Sequence, residues 1–197
     1  MKYLSFDIEA TGLAEFDYVI EFAMIPFDTV AGTLEENLAR SYYIKCPTYE
    51  ELEPKLDPWV IEHNKELIKK ANSEGLPMDS FKKEFQAYLE SSPVKDYFST
   101  TENKKIVLFG KSMNAIDLPF LNRDLGFDFM RRYFHHQVLD LSSVAMSFID
   151  TNMLPQGSAS GSNLMEYFNL GDVEHTALAD AKNTAIMYLK LIDKFKM

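Results

Sequence analysis

The stretch Lys2-Tyr-Leu-Ser-Phe-Asp7-Ile-Glu9-Ala-Thr-Gly12 constrains this chain more than any other. Tyr3, Leu4, Phe6 and Ile8 make an apolar, aromatic-rich run that predicts a buried strand, and Thr11-Gly12 breaks it into a turn. Side chains two apart on a strand share a face, so Asp7 and Glu9 project together from its tip. Like charges about 4 Å apart repel by roughly 4 kcal/mol at an effective dielectric near 20. Beside a hydrophobic run such a pair calls for a cation. Hard divalent ions take oxygen ligands, so magnesium or manganese fits. Taken alone, such a pair is more often one acid facing solvent and one capping a turn; the later stretches overturn that reading.

Composition sets the outer bounds. A chain of 197 residues, 46% apolar and 25% charged, can bury a full core as a single domain over residues 1–197. The net charge of −10 argues against clamping long nucleic acid by bulk electrostatics. It leaves open an acidic site that holds metal ions, because the ions bring their own positive charge. Cys46 is the single cysteine, which excludes an internal disulfide and suits a reducing compartment. Lys2 leads straight into the first strand, so no signal peptide is read. The apolar run Tyr18–Phe27 is broken by Glu21 and too short to span a membrane. The expected address is cytoplasmic, with no membrane partner.

Further along, Asp17–Asp28 reads as a second, central strand and Ser41–Cys46 as a third, in an antiparallel meander. Asp57-Pro58 opens a helix to about Ala71, and Asp79 caps a second one bearing Phe81, Phe85, Tyr88 and Leu89. Residues 91–104 read as a loop and Ile106–Gly110 as a fourth strand. A helix near Pro119–Gly126, a short strand near Val138–Leu141 and a helix to Ile149 follow. Pro155–Ser162 reads as a mobile loop, followed by a helix near Asn163–Phe168 and a long one over Ala177–Phe195. The order predicts an α/β fold, a mixed five-stranded sheet flanked by helices.

Two later stretches supply more acids. Asp117, in Asn114-Ala-Ile-Asp117-Leu-Pro-Phe-Leu121, follows a strand and opens a helix, where it could also be a plain helix cap. In His175-Thr-Ala-Leu-Ala-Asp180, a histidine precedes an aspartate by five at the mouth of the last helix. A first-turn acid there is favoured by the helix dipole whatever its use.

Asp-x-Glu-x-Thr-Gly-Leu, a central Asp-x-x-Phe-Leu and a late His-x4-Asp, in this order, resemble the DEDD family of 3′→5′ exonucleases. Members include ribonuclease T, oligoribonuclease and polymerase proofreading exonuclease domains. The resemblance runs from Phe6 to about Leu189, and is weak between motifs. Ala10 stands where the family usually has threonine. Thr176 occupies the position that is tyrosine in the tyrosine subfamily, so the late motif points to the histidine subfamily. Gly110 and Asp117 are seven apart where six is usual, with Lys111-Ser-Met-Asn114 between them.

The resemblance implies a ribonuclease H-like fold and metal-dependent hydrolysis of single-stranded DNA or RNA from its 3′ end to 5′-mononucleotides. Asp7, Glu9, Asp117 and Asp180 would hold two Mg²⁺ or Mn²⁺ ions, with Asp7 bridging. His175 would be the general base, a role suited by an imidazole's ordinary pKa of about 6.5. Thr11 and Gly12 would offer backbone contacts to the last nucleotide, and Leu13 a wedge against its base. Competing readings are a proofreading subunit of a polymerase and a non-catalytic nucleic-acid-binding or scaffold module on the same fold. Such a module should have lost an acid or the histidine; all five are present. Arg131–His136 mixes cations and aromatics, which suits single-strand contacts or a solvated helix end that leaves room for a homodimer. Trp59 and His63 read as core and rim. Glu21 fits the family pattern without a derivable role.

Overall fold

A computed structural model describes residues 1–100, 105–171 and 176–195. Its centre is a mixed six-stranded sheet. β1 (Lys2–Ala10) pairs antiparallel with β2 (Val19–Asp28), which also pairs with β3 (Thr33–Leu34) and β4 (Arg40–Tyr43). On its other edge β1 pairs parallel with β5 (Leu108–Gly110), and β5 with β6 (Leu139–Asp140). The mixed sheet flanked by helices is as expected. The sixth strand is the two-residue β3, too short to carry a period in sequence.

β1 is covered on both faces. Leu4, Phe6 and Ile8 pack into one cluster with Phe22, Phe81, Phe85 and Leu108. The aromatic rings of Phe22 and Phe85 lie 5.0 Å apart there. Each such phenylalanine, fully removed from water, contributes about 1.5–3 kcal/mol. On this side lie α4 (Met78–Glu90), α5 (Ser92–Phe98), α6 (Asp117–Leu125) and α7 (Phe127–Tyr133). Tyr3, Phe27 and Phe109 face the opposite cluster, formed with α8 (Leu141–Asp150), α9 (Gly161–Tyr167) and α10 (Ala177–Phe195). By period 2, Ser5, Asp7 and Glu9 share the Tyr3 face, under α10.

α10 matches its expected range at both ends. It lies close on β1 and β2 because its buried stripe begins with small residues, Ala177, Ala181, Thr184 and Ala185, ahead of Met187 and Leu191. Elsewhere the elements differ in detail. The helix expected from Asp57 to Ala71 is two, α2 (Pro58–His63) and α3 (Lys65–Glu74), broken at Asn64. Asp79 does not cap α4, whose N-cap is Pro77. The expected loop at 91–104 contains α5, where Val94 and Phe98 are buried. Of the expected loop at Pro155–Ser162, residues 156–159 form turns with Ser158 buried, Ser160 caps α9 through the Asn163 N–H, and Gly161 and Ser162 already belong to that helix. Trp59 is exposed, stacked on His63 at 4.4 Å, while Val60 supplies the buried contact of α2. Among the described residues no helix is long and apolar enough to cross a membrane.

Candidate active site

The C-terminal end of β1 is where the acids meet. Asp7, Glu9 and Asp180 each place a carboxylate oxygen within 4.8 Å of the others. Asp7 and Glu9 arrive by strand alternation, and Asp180 from the first turn of α10. Asp117 enters from the sheet's other edge. β5 ends at Gly110, so β1 beyond it is open, and the Ile8 N–H donates to Asp117 Oδ1 at 3.2 Å. Asp117 is the first residue of α6, while the N-cap position belongs to Ile116, which makes no side-chain cap. The helix-cap alternative for Asp117 is thereby removed. Its carboxyl is committed to the tip of β1, between the two other acids.

Burial raises all three acids of β1 and α6, with neighbouring acids adding to the rise, Asp140 in the case of Asp117. Asp7 is held well above the ordinary carboxylate range, first by burial, then by the charges of Asp117, Asp180 and Glu9. Burial, Asp180 and Glu21 push Glu9 up to about 7, opposed by a hydrogen bond from Asn64. Burial carries Asp117 up to about 6 against the Ile8 hydrogen bond. Lys111 opposes the rise at both Asp7 and Asp117. Oxygen-only donors, crowded and partly buried, fit hard divalent cations such as Mg²⁺ or Mn²⁺.

Two hydrogen bonds hold α10 over this repulsion. The Ser5 hydroxyl donates to the Ala181 carbonyl at 2.7 Å, one residue after Asp180. Glu21, opposite Glu9 in the β1–β2 register and 2% exposed, accepts from the Ala177 N–H at 3.3 Å. Its other oxygen accepts from the Ser41 hydroxyl at 2.9 Å, tying β4 to the helix start. The sequence signal for Glu21 is an acid between Ile20 and Phe22 in an otherwise apolar strand. Asn64, whose side chain also donates to the Ala10 carbonyl at 3.3 Å, has no such signal.

The loop after β1 is built around Asp17. Its carboxylate accepts from the Thr11 hydroxyl at 3.1 Å and the Ala14 N–H at 2.8 Å. Thr11 Oγ1 in turn accepts from the Tyr18 N–H at 2.9 Å. The Thr11 hydroxyl therefore braces the loop. A Cβ at Gly12 would overlap the Asp17 carboxylate, so a side chain there would push Asp17 off its bonds to Thr11 and Ala14. Leu13 is 76% exposed and borders a cavity with Ile116, Phe120 and Arg123. His175 lies outside the described residues. Arg131–His136 is split in use: Arg132 and Tyr133 engage Glu90, Phe134 is buried, and Arg131 with both histidines lines a cavity of about 520 Å³ that touches none of the four acids.

Neither a protein-family model nor a curated protein sequence matches the chain. Solved structures do. Cell-death related nuclease 4 aligns over 98% of this chain and 64% of its own, at 18% identity and a TM-score of 0.71. The nuclease domain of 3′hExo, a DEDDh family member bound to rAMP, aligns over 98% and 92%, at 14% identity and 0.68. E. coli exonuclease I in complex with an oligonucleotide aligns over 99% and 41%, at 17% identity and 0.67. The chain thus spans about two fifths of exonuclease I and under two thirds of the cell-death nuclease, yet nearly all of the 3′hExo domain. At these identities the likeness is one of backbone architecture: this chain has the mixed-sheet, helix-flanked fold that these nucleases share.

Proposed function

We propose that the chain is a metal-dependent 3′→5′ exonuclease of the histidine type, acting on single-stranded DNA or RNA. The observation that carries the reading is the convergence of Asp7, Glu9 and Asp180 within 4.8 Å, with Asp117 bonded to the backbone between the first two. Three separate chain segments spend burial energy to bring like charges together, which a merely structural cluster would avoid. When bound, two Mg²⁺ or Mn²⁺ ions would acidify the attacking water and offset charge on the phosphate and the leaving 3′ oxygen.

The chain's own residues do the rest. Asp7, Glu9, Asp117 and Asp180 are the ligands. The Asp17-braced turn would present the backbone at Thr11 and Gly12 to the last nucleotide, with Leu13 against its base. Water adds to phosphorus, the bond from phosphorus to the 3′ oxygen breaks, and that oxygen stays on the shortened strand as a hydroxyl after taking a proton from bulk water. His175 would accept the proton released by water, and a 5′-mononucleotide departs. The intact acid set favours an enzyme over a binding or scaffold module; a proofreading subunit remains the second enzymatic reading. The test is degradation of matched 5′-labelled DNA and RNA oligonucleotides with Mg²⁺, Mn²⁺ or EDTA. Stepwise shortening from the 3′ end, abolished by EDTA and by Asp7→Asn with a native circular dichroism spectrum, is expected. Near wild-type turnover by Asp7→Asn would refute the metal assignment.

A further inference from the structure

Lys111 directly follows β5. In the parallel pairing of β1 with β5, Leu4 lies opposite Leu108 and Ser5 opposite Phe109. Two residues on, the same register brings Lys111 level with Asp7, one strand period beyond Phe109, on the α10 side of the sheet. The backbone here is anchored. Ser112 adopts a φ of 56°, its N–H donates to Asp140 Oδ1 at 3.3 Å, and its hydroxyl meets Ser142 Oγ at 2.9 Å. A left-handed serine is costly and persists where its surroundings hold it.

The lysine stem rests on Gly161, the first residue of α9. A Cβ at 161 would stand 2.9 Å from Lys111 Cε and 3.0 Å from Nζ, so a side chain there would displace the ammonium. Lys111 is half-buried and forms no hydrogen bond or ion pair among the described residues, although its charge reaches Asp7 and Asp117. An ammonium serving as counter-charge to these acids would close onto one of them. This one stops short. Once cations neutralise the carboxylates, its natural partner is an anion brought to the same place.

We propose that Lys111 binds a non-bridging oxygen of the phosphate presented to the Asp7–Glu9–Asp117–Asp180 cluster, gripping the 3′-terminal linkage of a nucleic-acid strand from the β5 side. This rests on the exonuclease reading. It also gives a use to the Lys111–Asn114 turn: the longer spacing before Asp117 makes room for a lysine braced by Ser112 and Gly161.

The experiment is fluorescence anisotropy of a labelled single-stranded oligonucleotide with Ca²⁺ in place of Mg²⁺, across a salt series. Wild type is compared with Lys111→Met, which keeps the stem, with Lys111→Gln, and with Lys111→Arg, which keeps the charge. Circular dichroism confirms the fold of each. Lys111→Met and Lys111→Gln should weaken binding about ten- to a hundredfold and flatten the slope of log affinity against log salt by about 0.7. Lys111→Arg should keep the slope. An oligonucleotide whose 3′-terminal linkage is an uncharged methylphosphonate should cost wild type a similar factor and cost Lys111→Met nothing further. Unchanged affinity and slope in a folded Lys111→Met or Lys111→Gln, beside a wild type that binds, overturns the Lys111 assignment alone. So does a loss that persists on the methylphosphonate. A wild type that binds no strand overturns the nuclease reading and this assignment with it.

Discussion

The acids should make the metal-free fold weaken as pH rises, and Asp7→Asn should remove the share of that dependence that Asp7 carries. Glu9 climbs from 4.5 to about 7 and Asp117 from 3.8 to about 6, with Asp7 also raised well above its ordinary value. A raised carboxyl binds its proton more tightly when folded. Its stabilisation is therefore fully present below the unfolded pKa, about pH 4, and is lost as pH climbs through the folded values to about 7. Each pKa unit corresponds to about 1.4 kcal/mol, so Glu9 and Asp117 correspond to about 3 kcal/mol apiece. Burial is the first cause of both shifts and is partly relieved by relaxation and water entry when the groups ionise, so we expect about 3 kcal/mol for the set. For a chain of this size that lowers Tm by roughly 6–12 °C between pH 4.5 and pH 8. Acids held low elsewhere, such as Asp28, tilt the other way but are common to both proteins and cancel in the difference. Asp7→Asn keeps the shape and deletes the charge facing Asp117, Asp180 and Glu9. In EDTA it should melt above wild type at pH 8 and converge with it toward pH 4.5. Manganese at a hundredfold excess over its dissociation constant should stabilise wild type at pH 8 by about 2.7 kcal/mol and the variant far less. Calorimetry across pH checks all of this. Parallel pH profiles for the two proteins, or a wild-type Tm unmoved by saturating Mn²⁺ at pH 8, would refute a preformed carboxylate site.

His175→Ala should lower kcat far more than substrate affinity, because a general base acts in the transition state; an unchanged turnover number would take His175 out of the chemistry. Glu21→Ala should strand the Ala177 N–H and the Ser41 hydroxyl, costing about 2 kcal/mol and roughly 4–8 °C in Tm, while Glu21→Gln, which keeps an acceptor, should recover most of it. Equal melting of the two variants would contradict the role given to those bonds. Michaelis constants measured from two to about twenty nucleotides should level off within the last few, since a chain at −10 gains little from counterion release on a long strand. Steady tightening with every added nucleotide, with a steep salt slope, would reveal an extended basic groove.

The parts of the site legible in sequence are those governed by a short period. Alternation along β1 puts Asp7 and Glu9 on one face, and the last helix is legible over its observed span, Ala177 to Phe195. Long-range bonds carry no such signal. Nothing local announces that Ser5 reaches Ala181, that Glu21 reaches Ala177, or that Asn64 interrupts a helix to meet Ala10. α5 was missed because Ser91-Ser-Pro-Val-Lys-Asp-Tyr-Phe98 is polar on most of one turn, although Pro93 and the Val94–Phe98 spacing fit a helix start. α7 hides in a cationic, aromatic stretch whose buried residues are only Phe129 and Met130.

The same bonds explain why the acids stay close. Repulsion among Asp7, Glu9 and Asp180 could be relieved by sliding α10 away from β1, but three features oppose this. The Ser5 hydroxyl holds the Ala181 carbonyl, Glu21 holds the first N–H of the helix, and the alanine seam leaves no slack against the sheet. With the helix fixed, only two responses remain: the carboxyls take up protons, as the raised values of Asp7 and Glu9 indicate, or they take up cations. The repulsion is then a store of binding energy released on neutralisation, in a geometry set before any ligand arrives. Proton and metal compete for the same oxygens. Metal affinity should accordingly rise with pH over the interval in which the metal-free fold weakens, so the stability lost to repulsion reappears as affinity for the ions.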